Sequence, residues 1–411
     1  MRIDLQQAVV ALSDALDLVG IDALYHGKRV GYMMLAGYSQ LEPELSKNQV
    51  FQLGLLHDVG VSSTQVHRHL ISELEWSGAK EHCLVGAKRL SRFLPLEPLA
   101  PYVLYHHSRW EELIEEDVSE KTASLANWIF LTDRVDTLAA GHYQSNILDA
   151  KQSIIQTITK YEGNLFKPEL VKLFLQLSKS DAFWLSQEQS HIADFVASRS
   201  QTENLVVLDF DELKELASIF AEIVDCKSRF TNQHSQGVAR LSRYLATHFG
   251  LGEEICNKIE IAGLLHDLGK LQTPDEVLDK AGTLNEPERH RINHHSFETF
   301  AMLKKIVGFE DISRWASYHH ESLDGSGYPF QMKSDQLDLE ARIVAVADVF
   351  QALAQERPYR QGLDIVQIDK ILLKLAKQHK LDQQVVACVG QHMDECYAQA
   401  LHYQSKVVNH S

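Results

Sequence analysis

Gly54-Leu55-Leu56-His57-Asp58-Val59-Gly60 returns, with one residue changed, as Gly263-Leu264-Leu265-His266-Asp267-Leu268-Gly269. Self-similarity over so long a separation marks a repeated structural unit, and outward from each copy the correspondence widens. His26 stands 31 residues before His57, and His234 stands 32 before His266. His82 follows Asp58 by 24 residues and His295 follows Asp267 by 28; the pairs His106-His107 and His319-His320 each begin 24 residues later. Asp133 then follows His107 by 26 residues, and Asp348 follows His320 by 28. With 21 histidines among 411 residues, chance does not build such a ladder. The tails NLFKPELVKLFLQL (164–177) and HKLDQQVVACVGQH (379–392) match as well. The chain reads as two copies of one domain, at 1–178 and 205–411, joined by a linker at 179–204 that is expected to be a connecting helix with a polar, Ser-rich tail.

Both copies carry helical periodicity. Leu241, Leu245 and Phe249 recur at i, i+4, i+8, and Ile259, Ala262, Gly263 and Leu265 form another such face. Breaks fall at Gly250-Leu251-Gly252 and over Thr283–Pro287. Alternating strand patterns are scarce, LVVLDF at 205–210 being the best. The fold class is therefore all-α, as two tandem helical domains.

Composition narrows the function. A net charge of −16 opposes wrapping of a DNA or RNA polymer, which needs a basic footprint. No run reaches the roughly 18 apolar residues of a membrane span, and MRIDLQQAVV lacks the basic and apolar regions of a signal peptide. Five scattered cysteines without a CxxC pair fit reduced thiols, mostly small core residues, in a cytoplasmic protein.

The second copy places seven ligand-type residues on separate helical segments: His234, His266, Asp267, His295, His319, His320 and Asp348. Imidazole and carboxylate together suit transition metals better than Ca or Mg. Seven ligands exceed one tetrahedral centre but fit two metals sharing a carboxylate, with Asp267 as the natural bridge. Two such metals activate a water and clamp a phosphate. Adjacent histidines on a helix point about 100° apart, so His319 and His320 can reach two points of one polar pocket. His290 and His294 fall outside the repeat spacing and read as surface residues.

HDLGK (266–270), HHESLDGSGYP (319–329) and RIVAVADVFQALAQERPYR (342–360) together resemble the HD-GYP branch of the HD-domain metal-dependent phosphohydrolases, over essentially all of 205–411. The resemblance implies a helical phosphodiesterase of bacterial second-messenger signalling that opens a cyclic dinucleotide to its linear form. Cyclic di-GMP is expected first and 3'3'-cyclic GMP-AMP second. It implies two divalent metals held by the seven residues, Fe or Mn first, with Ni, Co or Zn as alternatives. Asp267 and Lys270 would be catalytic, Lys270 stabilising the attacked phosphate. Asp324, Gly325, Gly327, Tyr328, Arg357 and Arg360, with Lys270, would contact substrate. Two phosphodiester charges need such local cations in an acidic protein; Tyr328 offers a ring for stacking on a base, though Tyr328-Pro329 also reads as turn chemistry. Some members take a third metal through a glutamate four residues before the first histidine; Phe230 stands there and cannot ligate, so the centre should be dinuclear. Ser296 replaces the proline that usually follows the third histidine.

The first copy keeps His26, His57, Asp58, His82, His106, His107 and Asp133, a candidate second metal site. It lacks the rest: Val61 stands in place of Lys270, SRWEELIEED replaces the GYP loop, and AAGHYQ replaces ERPYR. Glu111, Glu112, Glu115 and Glu116 would repel a dianion. A regulatory or dimerising partner is expected, and with it a homodimer. The competing readings for the whole chain are a non-catalytic cyclic-dinucleotide receptor and an HD-superfamily nucleotidase of other specificity.

Overall fold

The computed structural model describes residues 1–19, 25–61, 63–72, 74–76, 78–143, 145–200, 205–227, 234–280, 282–356 and 361–401. Contacts divide the chain into one unit of Asp4–Leu205 and another of Val206–Ser411 that also takes in Met1–Ile3. Helices of five residues or more dominate both.

In the first unit these are α1 (Leu5–Val19), α2 (His26–Ala36), α3 (Lys47–Leu56), α4 (Thr64–Ser72), α5 (Ala79–Leu90), α6 (Ala100–Tyr105), α7 (Glu120–Ala139), α8 (Ile147–Lys160), α9 (Pro168–Leu177), α10 (Asp181–Leu185) and α11 (Gln189–Ser200). Ser46 and Gln49 form a capping box that starts α3. Of the stretch 179–204, expected as a linker with a connecting helix, the described residues 179–200 carry α10 and α11, and contacts group them with this unit. Trp184 and Ile192 are fully buried, and the Phe195 ring meets Tyr32 edge-on at 5.3 Å. Phe183, Trp184, Ile192, Phe195 and Val196 give that segment an apolar side to bury, which its Ser-rich composition obscured.

The second unit holds α12 (Phe210–Lys227), α13 (His234–His248), α14 (Glu253–Leu265), α15 (Glu286–Leu303), α16 (Glu310–Ser317), α17 (Leu339–Ala354), α18 (Ile365–Lys377), α19 (Gln383–Gln391) and α20 (Met393–Leu401). Gly250, at φ 70°, ends α13. Asn285 opens α15 with its side chain accepting from the Glu288 amide, while Pro287 occupies the first turn. Leu241, Leu245, Ile259, Ala262 and Leu265 lie in the core as their spacing predicts. The LVVLDF stretch supplies β2 (Leu205–Val207), which pairs with β1 (Arg2–Asp4). The Met1 ammonium donates to the Leu208 carbonyl at 2.5 Å.

The repeated motif has a packing role in both copies. Its last glycine, Gly60 or Gly269, lies against the carbonyl of the third histidine, His82 or His295, and an added Cβ would overlap that oxygen. Only glycine lets the strand of chain carrying His-Asp approach the helix carrying the next histidine.

Candidate metal centre

Five segments of the second unit converge on one buried point. His234 opens α13, His266 and Asp267 terminate α14, His295 lies within α15, His319 and His320 occupy the turn after α16, and Asp348 lies within α17. The turn, rather than a helix, carries the adjacent histidines and sets their separate directions. Three Nδ1 atoms are tied to carbonyls three residues upstream: His266 to Gly263 at 2.8 Å, His295 to Ile292 at 2.6 Å and His319 to Ala316 at 2.6 Å. An Nδ1–H donated outward fixes the tautomer and leaves Nε2 a lone pair aimed inward, the form that binds metals.

Asp267 lies between two groups. Its Oδ2 is 3.2 Å from His266 Nε2 and 3.8 Å from His234 Nε2; its Oδ1 is 3.5 Å from His295 Nε2 and 3.8 Å from His319 Nε2. Asp348 Oδ1 meets His234 Nε2 at 3.1 Å, while its Oδ2 faces His320 Nδ1 at 4.0 Å. One carboxylate with an oxygen toward each imidazole group has the geometry of a bridge. Lys270, one turn on, donates to Asp267 Oδ2 at 2.5 Å and stays partly exposed.

The electrostatics suit cations. Burial opposes charge on Asp267, yet His266 and Lys270 hold its carboxyl well below the usual range. Burial and the His320 charge push His295 down to about 3, and burial pushes His320 down to about 4. Burial also favours neutral His266, but the Asp267 and Asp348 carboxylates lift it to about 10, a proton standing where positive charge is wanted. Asp267 Oδ1 and His266 Nε2 are buried without a hydrogen-bond partner. Such orphans are costly unless something coordinates them; His/Asp groups within metal-binding distance complete the fit.

HD-domain family models match residues 23–138 and 218–385. The 3'3'-cGAMP-specific phosphodiesterase 1 of Vibrio cholerae serotype O1 is 37% identical over 402 residues, 96% of this chain and 93% of that protein. The chain belongs to the HD-GYP family. The cyclic di-GMP phosphodiesterase response regulator RpfG of Xanthomonas campestris pv. campestris is 37% identical over 151 residues, 36% of this chain and 40% of its own. The crystal structure of the V. cholerae cyclic GMP-AMP specific phosphodiesterase V-cGAP3 aligns with a TM-score of 0.64 at 24% identity, over 97% of this chain and 98% of that one, and shows a shared fold.

The HD-GYP loop follows His320 directly. Tyr328 packs its ring 4.9 Å from His320, beside the cluster, and its amide donates to the His320 carbonyl at 3.2 Å. Gly327 lies against the Glu321–Ser322 backbone, where a Cβ would collide with main chain. Gly325 turns the chain at φ 79°. Asp324, expected at the substrate, is exposed and accepts from the Ser326 amide and hydroxyl at 2.9 and 2.7 Å, so the structure gives it the turn to hold. Arg357, Arg360 and Phe230 lie outside the described residues. His290 and His294 are exposed, as expected.

Glu321 had no assigned role in the sequence reading. It is buried, and its two carboxylate oxygens accept the Phe330 and Met332 amides at 2.7 and 2.9 Å, fastening the far side of the GYP loop. A charged residue immediately after a ligand pair was the available signal.

The first unit repeats the bridge. Asp58 Oδ2 faces His57 at 3.6 Å and His26 at 3.8 Å, while Oδ1 faces His82 at 3.3 Å and His106 at 3.7 Å. Asp133 Oδ1 is 3.4 Å from His26 and its Oδ2 lies 3.8 Å from His107. Asp136 accepts from His26 Nδ1 at 2.7 Å and is itself held by Arg29 and by the Tyr143 hydroxyl at 2.6 Å. Asp136 and Tyr143 thus orient a candidate ligand histidine, a pair of positions the repeat spacing did not single out. Val61 is buried where Lys270 stands in the other copy.

Proposed function

We propose that the carboxy-terminal half hydrolyses a cyclic dinucleotide to its linear form, in bacterial second-messenger signalling and in the cytoplasm, with 3'3'-cyclic GMP-AMP preferred over cyclic di-GMP. The observation that carries the reaction class is Asp267, one oxygen toward each imidazole group and Lys270 on its open side. The expected order of substrates is reversed because the V. cholerae relative that spans both halves is cGAMP-specific, whereas the cyclic di-GMP relative RpfG aligns over about a third of the chain.

His234, His266, His295, His319, His320, Asp267 and Asp348 would hold two divalent ions, Fe or Mn by donor type, which supply Lewis acidity and an acidified water when bound. The chain's own groups do the remainder. Lys270 places an ammonium beside the bridging carboxylate, where a phosphodiester oxygen gains charge as water adds to phosphorus and one ribose–oxygen bond to phosphorus opens. The released ribose oxygen takes up a proton, so water is divided between the new phosphomonoester and the new hydroxyl. Tyr328, its hydroxyl kept protonated by burial, forms a wall beside His320 for a purine to stack upon. Arg357 and Arg360 are proposed for the second phosphate. A polymer is not expected as substrate, and the active assembly is proposed to be a homodimer.

Incubation of the metal-loaded full chain with 3'3'-cyclic GMP-AMP and with cyclic di-GMP, followed by chromatography, tests the assignment. Linear product should form faster from the first. Asp267→Ala should lower turnover by at least ~10²-fold while far-UV circular dichroism stays unchanged. Tight binding of intact ligand without cleavage would instead make the chain a receptor, and cleavage only of monoesters would make it a nucleotidase.

A further inference from the structure

The second and fourth histidines of each copy are held alike, Nδ1 to a carbonyl three residues upstream. His57 meets Gly54 at 2.8 Å and His106 meets Val103 at 2.6 Å, as His266 and His319 do in the other unit. The first histidine of each copy opens its helix, with no earlier turn of that helix to supply a carbonyl. In the first unit another helix meets the need. Asp136, one turn beyond Asp133 on α7, accepts from His26 Nδ1 at 2.7 Å. Arg29, one turn beyond His26 on α2, donates to Asp136 Oδ1 at 2.5 Å. Imidazole, carboxylate and guanidinium form one buried chain.

The same two steps in the second unit lead to Gln351, one turn beyond Asp348 on α17, and to Gly237, one turn beyond His234 on α13. The exchange is paired. Where the first unit sets a carboxylate against an arginine, the second sets an uncharged amide against a residue with no side chain. The two positions meet here as well: a Cβ added at Gly237 would overlap the Gln351 amide, so glycine makes room for the longer side chain. Gln351 is 3% exposed, and its Oε1 is buried with no hydrogen-bond partner. A buried amide oxygen needs a donor. The donor that the repeat sets beside it is His234, whose Nε2 faces Asp348 Oδ1 at 3.1 Å.

We propose that Gln351 is the positioning residue of His234, its amide oxygen accepting the Nδ1–H and so turning Nε2 toward the cluster, an uncharged link where the first unit has an ionic one. The inference rests on reading the second cluster as a metal centre, and on no step of the reaction assigned to it. A partner of this kind fixes the tautomer and raises the basicity of the ligand, a carboxylate more strongly than an amide. His234 is therefore the weaker donor of the two first histidines.

Mn²⁺ affinity of the full chain, measured by chelator competition, tests this. The comparison is made on an Asp58→Ala parent, which lacks the bridge of the first cluster, and repeated without that change. Gln351→Leu keeps the volume but offers no acceptor, and should weaken Mn²⁺ binding at least ~10-fold. The melting temperature of its metal-free form should hold, since an apolar group there removes an unpartnered oxygen. Gln351→Glu keeps an acceptor and should bind at least as tightly as the parent. Gly237→Ala raises helix propensity but pushes the amide aside, so it should weaken binding as Gln351→Leu does, and it carries the test if the leucine variant misfolds. Unchanged affinity in Gln351→Leu and Gly237→Ala overturns the inference alone, as does an equal loss in Gln351→Glu, which would make the glutamine a matter of shape. A chain that takes up no Mn²⁺ at all overturns the metal reading and the inference with it.

Discussion

Residue identity reaches function here mainly through what each side chain's second polar atom does. The candidate ligand histidines were legible because their spacing repeats, and the structure adds what suits them to that role: Nδ1 of His266, His295 and His319 is already committed to a carbonyl. Glu321, Asp136 and Tyr143 were not legible, since each acts on a neighbour in space and has no counterpart at the matching position of the other copy. Glu321 can be tested directly. Glu321→Gln keeps one acceptor and sets an amide NH₂ against a backbone N–H, at a cost of about 1–3 kcal/mol for a buried unsatisfied donor. Because that carboxylate holds Phe330 and Met332 rather than the metal ligands, KM should rise roughly tenfold with little loss of bound metal. Equal metal loss and kcat loss, read by elemental analysis alongside steady-state kinetics, would place Glu321 in the centre itself.

Elements were legible to the extent that they bury a periodic face. The helices bearing Leu241, Leu245, Ile259 and Leu265 lie where the pattern puts them. Within 179–204 a connecting helix was expected and α10 and α11 are found; that they bury an apolar side was not legible, because a helix as short as α10 has too few turns for its periodicity to stand out against serine-rich composition. The elements also separate two kinds of glycine, with opposite expectations. Gly269 governs how closely α15 approaches the end of α14, so Gly269→Ala should displace His295 and lose both metal and cleavage. Gly327 governs only how the GYP loop folds on the Glu321–Ser322 backbone. Gly327→Ala should therefore keep its metal, by elemental analysis, while cleavage falls at least ~10-fold, a loss of about 1.4 kcal/mol or more in transition-state stabilisation. Equal metal content in both variants would contradict this division.

At the scale of the whole molecule, duplication lets each half serve as the other's control. Among the described residues no helix is long and apolar enough to cross a membrane, and each unit has its own core. Each core also encloses carboxylates and imidazoles that no ordinary packing would gather, Asp58 in one and Asp267 in the other. A ligand that binds only the folded chain stabilises it by RT ln(1 + [L]/Kd), about 2.7 kcal/mol at a hundredfold excess over Kd. Chelation should therefore lower the melting temperature, and restoring divalent metal should raise it again. Because the two clusters belong to separate cores, the increments should be separable by calorimetry. Asp267→Ala should abolish the metal response of one transition and Asp58→Ala that of the other, each leaving its counterpart in place. If both variants silenced the same transition, or if metal shifted neither, two independent centres could not be what the repeated histidine ladder encodes.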